Sequence, residues 1–292
     1  MTAPTPYLLK QAKFFNIESP LLEYQRNVES QNGEDGIISH IFSVLPPAEK
    51  RYCVEFGAWD GKYLSNCFNL VRNLGWFGLF IEANDQKFEQ LLANHGNSKT
   101  VTCLKRFVEF SGPNRLDKLI GESNFPVDID VLSIDIDGAD YFVWESVQRF
   151  KPRVVIIEFN PSIPNDVIFV QAKDMNVHQG ASLLALVMLG KQKGYELVCA
   201  TTCNAILVLN EFYPLFGLKS NHVTALYAPV SDGRIFHGFD SYVHISGMSR
   251  LMWSETDVCS EDFQVLPASL RKWGDAQSES VLEAVKPFSL RP

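Results

Sequence analysis

The chain lacks several things, and each absence removes a class of function. It has no stretch of about 18 consecutive apolar residues, so no helical membrane span is expected. Basic residues are scarce: 26 Lys and Arg stand against 34 Asp and Glu, a net charge of −8, which argues against a nucleic-acid partner. The six cysteines (Cys53, Cys67, Cys103, Cys199, Cys203 and Cys259) form no C-x-x-C pair. Several lie in apolar, strand-like runs, which suits reduced core thiols in a cytoplasmic protein better than zinc ligands. The first residues lack the long apolar core of a secretory signal. No repeat or low-complexity run appears. What is present is a length of 292 residues with 46% hydrophobic and 21% charged, enough for one large domain with a sizeable core, or for one and a half.

The rest of the chain is organised around YCVEFGAWDGKYLSN, residues 52–66. An apolar run (Tyr52, Cys53, Val54) ends in Glu55, glycines follow at Gly57 and Gly61, and an amphipathic segment begins. This predicts a buried strand, a tight turn and a helix, with a nucleotide-like ligand at the carboxyl end of the strand. A dinucleotide would want G-x-G-x-x-G, but the middle glycine is replaced by Trp59. The pattern Glu55-x-Gly57-x-x-x-Gly61 instead resembles the first motif of class I S-adenosylmethionine (SAM) methyltransferases. An ordinary strand-to-helix turn would also read this way.

Residues 7–15 are expected to form a short helix. Asn32 and Asp35 look like a cap for a helix carrying Ile37, Ile38, Ile41, Phe42 and Leu45, stopped by Pro46-Pro47. That helix either covers one sheet edge or brings the polar run 30–35 near the ligand. A helix over 64–74 carries Leu64, Phe68, Val71 and Leu74 on one face and ends at Gly75. A second strand, 77–81, runs into Glu82, 21 residues past Gly61, where a carboxylate can accept both hydroxyls of a ribose. A helix over 85–94 and a strand over 100–104 come next. Phe107 and Val108 lie just beyond, where an adenine ring could stack or a core could form.

A helix over 114–121 leads to a fourth strand, 131–137 (VLSIDID), which ends in Asp135 and Asp137. Carboxylates there are costly unless paired, hydrogen-bonded or metal-bound. Gly138 turns the chain into a helix over 140–150, which Asp137 and Asp140 could cap. The run RVVIIEF at 153–159 reads as a strand buried on both faces, ending near Glu158 and Asn160. If the two strands are neighbours, Asp135, Glu158 and Asn160 could hold Mg²⁺ or another divalent cation, or they could orient a substrate hydroxyl directly. The segment 161–180 has no clear periodicity and reads as a lid or a substrate loop; its His178 is either a general base or a surface residue. A helix over 182–193 precedes strands at 195–200 and 205–209. Their four-residue connection makes a hairpin, so the last strand must run antiparallel.

Taken in order, SQNGEDGI, VEFGAWDG, IEAND, LSIDIDGADYFVW, VVIIEFNP and GASLLALVMLGKQKGYELV resemble the FkbM-like branch of SAM-dependent methyltransferases, over about residues 30–210. The resemblance implies an α/β Rossmann-like sandwich with a seven-stranded, mostly parallel sheet and one antiparallel strand. It also implies SAM as cofactor and O-methylation of a hydroxyl on a sugar, glycan or natural product. On this view Glu55, Gly57, Ala58, Gly61, Asn66, Glu82, Ala83, Phe107, Val108 and Asp135 would bind the cofactor. Asp135 and His178 would serve catalysis. Members commonly carry lysine where this chain has Ser133, so the acceptor class does not carry over. The expected organisation is an N-terminal segment (1–29), a methyltransferase domain (30–210) and an extension (211–292), ordered around Trp253 and Trp273, that packs on the core or on a partner, with a homo-oligomer possible. A nicotinamide-dependent oxidoreductase and a non-catalytic binding protein on the same scaffold remain the competing readings.

Overall fold

The computed structural model describes residues 19–123, 125–228, 234–238, 242–246 and 259–264. The helix expected at 7–15, and Trp253 and Trp273, lie outside the described residues. The described residues fall into two compact units, one reaching residue 228 and one built from residues 234 onward.

The first unit is a seven-stranded sheet flanked by helices. Its strands are β1 (Tyr52–Phe56), β2 (Phe77–Glu82), β3 (Val101–Lys105), β4 (Val131–Ile134), β5 (Val154–Glu158), β6 (Tyr195–Ala200) and β7 (Asn204–Leu209). Their order across the sheet is β3-β2-β1-β4-β5-β7-β6. All pairs are parallel except those of β7, which runs against both β5 and β6. This is the Rossmann-like methyltransferase fold.

Alternating strand residues feed two cores. Val54, Phe56, Leu132 and Ile134 pack on one face with Trp144, Leu186 and Leu189. Cys53, Phe80, Val131, Val154 and Ile156 pack on the other with Ile37, Ile41 and Leu70. Those helical residues come from α5 (Asp140–Ser146) and α6 (Leu183–Lys193) on the first side, and α1 (Glu34–Val44) and α2 (Phe68–Arg72) on the second. Helices α3 (Asp85–His95) and α4 (Leu116–Glu122) complete the βα alternation. Among the described residues no helix is long and apolar enough to cross a membrane.

Several boundaries differ from the expectation, each for a local reason. Helix α1 is preceded by Gly33 in the left-handed region, with no side-chain cap from Asn32. Asp35 Oδ2 instead accepts the N–H groups of Val28, Glu29 and Ser30, while Ser30 Oγ accepts the Asp35 N–H. Helix α2 starts at Phe68 rather than at residue 64, because Ser65 Oγ accepts the N–H groups of Cys67 and Phe68. Strand β4 stops at Ile134, so Asp135 and Asp137 sit on the turn beyond it. Residues 211–228 pack on the sheet unit: Val223, Leu226 and Tyr227, on or beside α7 (Val223–Leu226), join its core. The second unit contains a hairpin of β8 (Arg234–His237) and β9 (Val243–Ser246) and a short 3₁₀ turn, Ser260–Phe263.

At the amino ends of the strands Asp130 ties three strands together. Its Oδ2 accepts the Tyr52 N–H at 2.9 Å, and its Oδ1 receives Arg51 and Arg153 at 3.4 and 3.2 Å. Asp130→Ala would leave two half-buried guanidinium groups and a strand N–H without their acceptor. It should lower unfolding free energy by about 3 kcal/mol, read as a reduced urea midpoint at unchanged slope.

Candidate functional site

A cavity of about 430 Å³ opens at the carboxyl ends of β1, β2, β4 and β5. The strand order reverses between β1 and β4, and crevices at such a switch are where open α/β sheets take their ligands. The turn after β1 needs glycine at residue 57. Its φ is +70°, and a Cβ there would lie 1.7 Å from the Asp135 carbonyl oxygen. Gly61 is required for a different reason than expected. A Cβ there would meet Leu91 Cδ1 at 2.5 Å and the His95 ring at 2.8 Å, so it serves packing against α3 and does not line the cavity. Trp59, Leu64 and Asp137 are the non-glycine residues of positive φ among those described, and all three line the cavity.

Of the residues expected to bind a cofactor, Glu55, Gly57, Ala58, Asn66, Glu82, Ala83, Phe107, Val108 and Asp135 line this one cavity. Glu55 is buried; it accepts the Ser65 hydroxyl and the Asn66 N–H, the latter at 2.9 Å. Burial outweighs those bonds and pushes its pKa up to about 7. Glu82 accepts the Trp59 N–H at 2.8 Å through Oε2 and the Asn84 N–H at 2.7 Å through Oε1. Asn66 Nδ2 donates to Ser133 Oγ at 3.1 Å, which leaves Asn66 Oδ1 buried without a donor.

A second group of acids faces the same space. One oxygen from each of Asp135, Asp137 and Glu158 lies within 4.8 Å of the others. Burial, then the nearby charges of Asp140 and Asp137, raises the Asp135 pKa to about 7; burial and Asp135 raise Glu158 as well. Asp140 does not cap α5 as expected: it is the first residue of that helix, which has no side-chain cap, and its carboxylate instead closes the preceding turn by accepting the Ile136 and Gly138 N–H groups. Asn160 does not join the acids. Its Oδ1 accepts the Ser162 N–H and its Nδ2 donates to the Gln179 carbonyl, so it braces the 161–180 segment and stands outside the cavity lining. His178 lines the cavity, with Nδ1 2.9 Å from the Asp137 carbonyl oxygen.

Other lining residues were not singled out from the sequence. Gln31 comes from the polar run before α1, which therefore does reach the cavity. Ser65 and Ser133 dress Glu55 and Asn66; the serine three residues before the α2 helix was the available sign. Met175 comes from the aperiodic 161–180 segment, where no pattern marks it.

No family model matches the chain, and no curated protein matches it. Among solved structures, the chain is similar to the CMeT domain of the citrinin polyketide synthase, with 11% identity and a TM-score of 0.40 over 60% of this chain and 50% of that one. The N-terminal domain of EvdMO1 with SAH bound matches at 12% identity and 0.38, over 61% and 81%. An O-methyltransferase family protein from Burkholderia thailandensis matches at 14% and 0.38, over 60% and 57%. The chain thus spans about half the length of the first of these structures. Likenesses so distant leave the function to the geometry of the site.

The buried Glu55 has a consequence for stability. Its folded pKa, about 7, lies above the ordinary 4.5, so the folded state holds a proton that the unfolded state has released between those values. Stability contributed by that proton is present at low pH and is lost as pH rises through 7, by about 3 kcal/mol in full. The melting temperature of the ligand-free protein should therefore fall between pH 5 and pH 8, and Glu55→Gln should flatten that slope in a calorimetric scan.

Proposed function

We propose that this chain is a SAM-dependent methyltransferase acting on a hydroxyl of a small-molecule or glycan acceptor. The observation that carries the reading is the pair of buried carboxylates, Glu55 and Glu82, at the tips of neighbouring strands and facing one cavity. Each Glu82 oxygen accepts one backbone N–H and keeps a second lone pair, enough for the two hydroxyls of a ribose. Phe107 and Val108 offer an apolar wall for the base. The orphaned Asn66 Oδ1, with the Glu55 carboxylate behind it, suits the α-ammonium of a methionine moiety. Trp59 stands where a dinucleotide pyrophosphate would need bare backbone, which disfavours a nicotinamide cofactor. All six cysteines are free thiols, in keeping with a cytoplasmic protein.

SAM, when bound, supplies a methyl group already activated by its sulfonium, so the residues chiefly align the reacting atoms. An acceptor hydroxyl that takes the methyl group would have to give up its proton as the carbon–sulfur bonding pair stays with sulfur. We assign that proton to His178, which lines the cavity. The Asp137 carbonyl can only accept, so His178 Nδ1 carries the hydrogen and Nε2 keeps the lone pair. Asp135 and Glu158 flank the acceptor side.

Calorimetry should show SAM binding that Glu82→Ala weakens by about one to three kcal/mol, the cost of unpaired buried hydroxyls; unchanged affinity would remove the ribose assignment. His178→Ala should slow transfer of labelled methyl from SAM into an accepting cell-extract fraction by about 10²- to 10⁴-fold, while SAM affinity is kept.

A further inference from the structure

Buried carboxylates in this protein are dressed with donors. Glu34 takes the Asn32 N–H, the Thr201 hydroxyl and Asn204 Nδ2. Asp35 takes three backbone N–H groups, Asp140 takes two, and Glu55 and Glu82 take two donors each. Asp130 has two arginines and an N–H. The cluster of Asp135, Asp137 and Glu158 is different: Asp137 is exposed and Asp135 half-buried, a side-chain hydrogen bond links Asp135 to Glu158, and among the described residues no backbone N–H or cation is bonded to any of the three side chains. Among the described residues none of the three enters an ion pair. Glu158 is only 9% exposed, and its Oε2 is buried without any donor.

We propose that Asp135, Asp137 and Glu158 together bind one hard divalent cation, Mg²⁺ or Mn²⁺, on the acceptor side of the cavity. Three carboxylate oxygens within 4.8 Å of one another can share a single ion at roughly 2.1–2.4 Å from each. All the donors are oxygens, which selects a hard ion over zinc or copper. The ion supplies the missing partner for Glu158 Oε2 and relieves the repulsion among three clustered acids. It also replaces the expected set that included Asn160, whose amide is committed to its own loop. An octahedral ion held by three protein oxygens keeps three positions for water or substrate. Two neighbouring oxygens of the acceptor can fill two of them, so the favoured acceptor is a vicinal diol or a related oxygen pair. The acceptor class rests on the methyltransferase reading; the ion site does not.

The test is a Mn²⁺ titration of the full chain without SAM, followed by electron paramagnetic resonance of free Mn²⁺. One ion per chain should bind with a Kd no weaker than about 1 mM. Asp137→Asn and Glu158→Gln should each weaken it by about tenfold or more, with melting temperatures confirming that both variants fold. No uptake by the unaltered chain at about 1 mM Mn²⁺, or uptake that both variants retain in full, would overturn the site. SAM calorimetry without metal reports separately on the cofactor reading, so the two can fail independently.

Discussion

The cleft exists because the backbone leaving β1 passes almost in contact with the backbone leaving β4. Gly57 at φ +70° lies so near the Asp135 carbonyl that a single added carbon would overlap it. A glycine in the left-handed region relieves both demands at once, the dihedral and the clearance. From that crossing the two exits diverge, one toward Trp59 and Glu82, the other toward Asp137 and His178. The acids that define the cavity are thereby brought from four strand ends into one space. The positive φ angles of Trp59, Leu64 and Asp137 extend the same economy: the irregular backbone is gathered where a ligand would sit.

Two kinds of carboxylate result. Glu55 and Glu82 on the cavity wall, and Asp140 in the turn beneath it, each accept nearby backbone or hydroxyl donors, which fixes their rotamers. Asp135, Asp137 and Glu158 are left to face each other. The first group is architecture as much as binding surface. The second stores unbalanced charge, and burial raises the cost of that charge at Asp135 and Glu158.

Much of the fold was legible in the residues. The continuous apolar run Val154–Ile157 marked a strand covered on both faces, and the short link between β6 and β7 forced the reversed strand. Glu55, Gly57 and Glu82 could be placed at strand tips because a strand ends where its apolar run does. Side-chain direction on loops was not legible. Gly61 and Asn160 lie two residues from cavity-lining ones in sequence, yet one faces α3 and the other its own loop. Leu64 fits a helical stripe by spacing, but a local serine cap overrode periodicity and left it exposed. Asp137 and Asp140 could both be read as helix caps; neither is, since Asp140 bonds the turn before the helix and Asp137 lines the cavity.

The ties between the two ends of the sheet unit bear on how the protein is made. Ser19 Oγ bonds the Val198 carbonyl, Glu34 bonds Thr201 and Asn204, and Asn32 bonds Cys203, contacts spanning about 170 to 180 residues of chain. Strand β7 must also slot between β5 and a β6 that was synthesised before it. A nascent chain emerging from the ribosome therefore cannot finish this sheet until residue 209 has cleared the exit tunnel. The segment that contributes Gln31 waits for about 170 further residues before it meets its final neighbours, a long exposure that favours slow, late closure of the sheet.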